Sequence, residues 1–148
     1  MLNQLILATI MVVAIVLIHL FGLAILTRLL RSHSRVMRSV RIMPFTLLAS
    51  ATIGIIAIHT AEIWLYAAAF VQVGAFRHFE DALYFSTSTY ATIGYGDVLM
   101  PHGWRVFGAI EGPAGIIMLG WSTAYLVSLL AQMKLLSHDW LTFDESKR

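Results

Sequence analysis

Residues 5–26 carry no charged side chain, and apart from Thr9 and His19 the run is apolar throughout. As a helix it would rise about 33 Å, enough to cross a hydrocarbon core about 30 Å thick. Lipid offers no partner to a backbone N–H or C=O, so a segment of this kind must satisfy its backbone internally, as a helix does. Two more spans follow at 45–70, opened by Pro44 in a tolerated first-turn position, and at 104–133. With 59% hydrophobic and 12% charged residues, the 148-residue chain is too apolar for an ordinary soluble domain. The first basic side chain is Arg28 and no small-residue cleavage site follows, so the first span reads as a retained helix rather than a signal peptide. The expected fold is an all-α membrane protein.

The basic residues are unevenly placed. Arg28, Arg31, Arg35, Arg38 and Arg41 lie in one short connection, Lys134, Lys147 and Arg148 lie near the C-terminus, and only Arg77 and Arg105 fall elsewhere. Positive charge flanking apolar spans marks the cytoplasmic side. An outside N-terminus then puts eight of the ten lysines and arginines inside, as expected in a bacterial inner membrane. The five arginines recur every three or four residues, one stripe of a helix, and suit anionic lipid at the interface. A voltage sensor needs acidic partners within the field, and the first span supplies none. Nucleic acid is not needed to explain the cluster, and the absence of cysteine removes disulfides and thiolate metal sites.

Between the second and third spans lies a different pattern. Residues 81–91 are too few to cross the membrane and read as a re-entrant helix, with Glu80 and Asp81 complementing its positive end. They lead into Thr92-Ile93-Gly94-Tyr95-Gly96-Asp97. Successive carbonyls aimed one way can replace the water shell of a dehydrated cation. That requires alternate residues near left-handed backbone angles, which glycine adopts without a Cβ penalty. Gly94 and Gly96, two apart, fit the demand, and the Thr92 hydroxyl adds one more oxygen.

The hexapeptide resembles the T-V-G-Y-G-D signature of the potassium-channel pore loop, with Ile93 in the valine position. Residues 44–133 resemble the outer helix, pore helix, filter and inner helix of bacterial two-transmembrane potassium channels. The likeness includes Tyr84 and Phe85 in the pore helix and Gly115 and Gly120 in the inner helix. It implies a homotetramer, since a ring of carbonyls needs four loops. It also implies K+ as permeant ion, a filter of Thr92, Ile93, Gly94, Tyr95 and Gly96, an acidic outer mouth at Asp97, and no cofactor. Pro113, Gly115 and Gly120 become candidate gating-hinge residues. Ile116, Leu119, Thr123 and Val127 would line a cavity below the filter. The organisation that results is an extra N-terminal helix at 1–27, a cytoplasmic arginine-rich connection at 28–43, the pore domain at 44–133 and a cytoplasmic tail at 134–148. Three features depart from the pattern: the first span itself, Ser88 where some relatives carry an acid behind the filter, and the Glu111-Gly112-Pro113 sequence high in the inner helix.

His59, Glu62 and Glu111 fall at the depth of the pore helix, where ionisable groups are expensive and usually paired. His59 and Glu62 share a helix face by their i, i+3 spacing. The three form a candidate buried network bracing the filter. His19, His33, His78, His102 and His138 are scattered without metal-ligand spacing and read as ordinary polar residues. The first span is expected to pack outside the pore domain. No nucleophile–base pair or phosphate loop points to an enzyme. A less selective cation channel and a non-conducting subunit partnering another pore protein are the alternatives.

Overall fold

The computed structural model describes residues 1–36 and 43–132, without the side chains of 33–36, 43 and 44. Four α-helices follow in order: α1 (Leu2–Val36), α2 (Met43–Gln72), α3 (Phe79–Tyr90) and α4 (Arg105–Gln132), the last preceded by a 3-10 turn at His102–Trp104. Among the described residues there is no strand. Three stretches, Leu2–Ser32, Phe45–Gln72 and His102–Gln132, are long and apolar enough to cross a membrane. The protein is a multi-pass, all-helical membrane protein. The first helix is longer than its apolar core and runs to Val36, so Arg28, Arg31 and Arg35 lie on α1 rather than beyond it. Arginine is a good helix former, and its long stem lets the charge reach water from a helix end. Arg38, Arg41 and the tail from 133 onward lie outside the described residues.

The end of α2 is written in its sequence. Gly74 takes φ 74°, its N–H donates to Val71 O at 3.0 Å, and the Ala75 N–H donates to Phe70 O at 2.9 Å. This is a Schellman stop, where glycine in the left-handed region satisfies the last carbonyls and turns the chain. The turn delivers α3, with Glu80 and Asp81 in its first turn, against α2 and α4.

An aromatic cluster holds the three elements together. Phe70 on α2 meets Phe107 on α4 at 5.0 Å between ring centroids and Phe85 on α3 at 5.6 Å, both edge-on. Phe70, Phe107 and Tyr66 are fully buried. Edge-to-face pairs each add about 0.5–1.5 kcal/mol beyond the area they bury.

Beside this cluster α4 turns a strip of glycines towards α3. A Cβ on Gly108 would meet Met100 Cε at 2.8 Å and Phe85 Cζ at 3.2 Å, one on Gly112 would lie 3.5 Å from Thr89 O, and one on Gly115 would collide with the backbone of Tyr90. At spacings of four and three, these positions stack on one face. Small residues let helices approach closely where no hydrophobic force drives them together. Gly115 is thus a point of close contact with the end of α3, whereas Gly120 faces open space. The helix continues through Pro113, which is exposed. The α1–α2 seam uses the same device: a Cβ on Gly22 would strike Ile58, and one on Gly54 would strike Leu26.

Gly115→Ala should lower the thermal midpoint of the purified protein, because the obstructing atoms are backbone and α4 must move off α3. Gly120→Ala should be neutral or stabilising by up to about 1 kcal/mol, the helix-propensity gain. Thermal melts followed by helical circular dichroism compare the two.

Candidate functional site

The chain leaves α3 with its donors turned back on the helix. Ala91 N–H donates to Thr87 O, Thr92 N–H to Thr89 O at 3.0 Å, and Ile93 N–H to Ser88 O at 2.8 Å, with Gly94 N–H reaching the same carbonyl at 3.3 Å. These bonds satisfy the orphan carbonyls of the helix end. Among the described residues the carbonyls of Thr92 to Gly96 accept no backbone hydrogen bond. The φ angles alternate in sign class: Thr92 at 58°, Gly94 at 61° and Gly96 at 79° are left-handed, while Ile93 and Tyr95 are not. Thr92 is the sole non-glycine residue with positive φ among those described, a strained choice for a β-branched side chain. Ile93 and Tyr95 are exposed on the single chain, and nothing lies within 4 Å of a Cβ placed on Gly94 or Gly96.

Asp97 closes this loop. Its Oδ2 accepts a hydrogen bond of 2.7 Å from the Tyr84 hydroxyl on α3. That bond, with backbone contributions at Asp97 and Val98, holds the carboxyl below its ordinary range. Hydrogen bonds to the charged form favour it. The loop is therefore tied to α3 at both ends, by the Ser88 carbonyl and by Tyr84.

Behind the loop are two polar groups rather than one. In the first, the Tyr90 hydroxyl donates to Glu62 Oε2 and lies 2.8 Å from His59 Nδ1. His59 Nδ1 is 3.2 Å from Glu62 Oε2, and His59 Nε2 is 3.0 Å from Ser122 Oγ. His19 completes it, with Nδ1 2.9 Å from Glu62 Oε1 and Nε2 3.3 Å from Ser122 Oγ. Glu62 and His19 are fully buried. In the second, Glu111 Oε1 pairs with Ser86 Oγ, which also reaches Ile63 O at 3.0 Å. One hydroxyl proton thus faces two acceptors, and Glu111 Oε2 is buried without a partner among the described residues. His59 and Glu62 come together as their spacing implied. Glu111 sits at the same level but bonds to α3 rather than to them.

His19 was read from sequence as an ordinary polar residue, and the structure corrects that. Its partners are 43 and 103 residues away, so no local spacing could announce them. The available signal was a lone histidine in an otherwise uncharged span, which lipid penalises unless it is paired. The helix α1 packs against α2 and α4. Gln4 Oε1 accepts from the Val106 N–H at 3.2 Å, and Thr27 Oγ1 lies 3.0 Å from Tyr125 Oη. With His19 between them, α1 is fastened near its start, at its middle and at Thr27, two turns before its end. Ser88 is buried, and its carbonyl accepts the Ile93 and Gly94 N–H groups. Ile116, Leu119, Thr123 and Val127 all lie exposed on α4.

A family model described as an ion channel matches residues 43–132, from the first residue of α2 to the last of α4. The chain belongs to that ion-channel family. No curated protein and no solved structure matches it. The helix α1 lies outside the matched stretch.

Tyr84→Phe should return the Asp97 carboxyl towards its ordinary value by removing its strongest partner. The sign follows from the lowered value: what the Tyr84 bond adds is present when Asp97 is ionised and fades as pH falls through its depressed titration point. Carboxyl carbon NMR of the wild type and the variant across the acid range reads the shift, and an unmoved titration would break the assignment.

Proposed function

We propose that the protein is a potassium-selective channel subunit that passes K+ down its electrochemical gradient through a fourfold ring of Thr92–Gly96 loops. One observation carries the reading: left-handed φ at alternate residues, Thr92, Gly94 and Gly96. Alternation turns successive carbonyls to one side, where they replace an ion's hydration. The N–H groups leading into this run are consumed by α3, so the side left bare is the oxygen side. The negative end of the α3 dipole also points towards the loop, which favours a cation there.

Three further features support the assembly. Ile93 and Tyr95 are bare on one chain, as expected of residues covered by neighbouring subunits. Asp97, ionised at neutral pH, would form an acidic ring at the outer mouth and concentrate cations. The exposed row Ile116, Leu119, Thr123 and Val127 supplies an apolar and hydroxylic cavity wall below. Gln4 beside Val106 puts the N-termini of α1 and α4 at one end of the bundle, which agrees with an outside N-terminus and an outside pore loop in a cell membrane. Arg28 and Arg31 then sit at the cytoplasmic end of α1, where anionic lipid is available.

Purified protein in liposomes should carry K+ under a potassium gradient and exclude Na+ under a sodium one. Equal flux of both would give the less selective channel, and no flux from a monodisperse tetramer would give the non-conducting subunit. Gly96→Ala should abolish selective flux while leaving assembly intact. At φ 79° the added Cβ costs about 1–2 kcal/mol in each subunit. Normal selective current from that variant would refute the filter.

A further inference from the structure

Where α1, α2 and the end of α3 meet, His19, His59 and Glu62 each present a ligand atom within 4.8 Å of the others, and all three are buried. Two imidazoles and a carboxylate make a donor set suited to zinc and its neighbours among the divalent transition metals. The edges of the set are close to the required size. Bonds of about 2.0–2.1 Å in a tetrahedral site place ligand atoms about 3.3 Å apart. Here His59 Nδ1 is 3.2 Å from Glu62 Oε2 and His19 Nδ1 is 2.9 Å from Glu62 Oε1, so each imidazole faces its own carboxylate oxygen, and the ligand atoms together span no more than 4.8 Å. Tyr90 Oη, 2.8 Å from His59 Nδ1 and bonded to Glu62 Oε2, stands beside the remaining position.

The second shell is compatible with such a site. The Nε2 atoms of both histidines approach one oxygen, Ser122 Oγ, at 3.0 and 3.3 Å. If both Nδ1 atoms donated to the carboxylate, both Nε2 atoms would be acceptors, and serine has one proton for the two. With a metal on both Nδ1 atoms the arrangement resolves. Each Nε2 then carries hydrogen, and both donate to the two lone pairs of one hydroxyl. Metal-bound histidines are usually held in this way, by an oxygen on the far ring nitrogen.

We propose that His19, His59 and Glu62 bind a divalent transition metal of the zinc class, with Ser122 orienting both imidazoles, so that the ion joins α1 to the helices of the matched family stretch. The set offers a single carboxylate beside two imidazoles, which disfavours calcium and magnesium, cations that call for several hard oxygens. His59 keeps 11% of its side-chain surface accessible on the single chain, while His19 and Glu62 keep none. Neither the donors nor the tautomers depend on whether the chain conducts.

The test uses the full chain in detergent, stripped with a chelator and dialysed against Zn2+. Elemental analysis should find one zinc per chain, and Co2+ in its place should give the intense visible absorption of a tetrahedral nitrogen–oxygen site. His19→Gln and His59→Gln should each weaken binding by at least about 10-fold, and Ser122→Ala by about 10-fold through the second shell. His78→Gln, at an exposed histidine outside the cluster, should bind as the wild type does. Should one ligand variant fail to fold, the other and the wild-type cobalt spectrum still decide. A monodisperse wild type that takes up no stoichiometric ion would overturn the proposal and leave the cluster as a hydrogen-bonded network alone. Undiminished zinc in a folded His19→Gln or His59→Gln variant would overturn it equally.

Discussion

Tyr90 is gripped at both ends, and the short helix it terminates depends on that grip. Its hydroxyl is held by Glu62 and His59, while its carbonyl rests on α4 where Gly115 leaves no room for a side chain. A twelve-residue helix that stops inside a membrane needs such fixing, because lipid cannot solvate its open end. The next residue but one begins the loop with alternating backbone angles. Any displacement of Tyr90 therefore reaches Thr92 through two peptide units and the bonds to Ser88 and Thr89. The glycine strip and the polar cluster serve one end, the position of the last turn of α3.

Much of this was legible before any coordinates. Apolar length gave the spans, because runs of such extent, with at most two charged side chains each, have few other solutions in lipid. The loop's backbone was legible because left-handed angles at alternate positions favour glycine at a spacing of two, and Gly94 and Gly96 take φ of 61° and 79°. His59 and Glu62 could be paired because i, i+3 is a local relation. What stayed hidden was non-local. Nothing near His19 indicates Glu62 or Ser122, and nothing around Tyr84 indicates Asp97. Glu111 was placed at the right level, yet depth along a helix does not fix direction around a neighbour, and it bonds to Ser86. The glycines of α4 could be read as hinge or as packing surface. Gly115 is a packing surface here, which is a statement about contact and leaves motion aside.

The helix α1 lies beyond the family stretch, yet it is joined to that stretch by side chains of its own. Gln4 accepts from Val106 N–H in the first turn of α4, a donor that no helical carbonyl can reach. His19 completes the cluster at the centre, and Thr27 meets Tyr125 two turns before the end of α1. An added helix held by shape alone could slide or leave. One that satisfies buried polar atoms of its neighbours is committed to one register, since a shift of a single residue would strand several of them at once.

That commitment has a cost in time. His19 enters the membrane before its partners exist: Glu62 follows 43 residues later and Ser122 follows 103 later. At synthesis rates of about 5–20 residues per second, the imidazole waits roughly 5–20 s for the serine that orients it. Throughout that interval α1 must remain beside the insertion machinery or accept a polar side chain in lipid. The nascent chain is thus vulnerable at its first helix and safe only after its last. A truncation between α2 and α4 would release a product whose histidine and glutamate had met, but whose last helix never came.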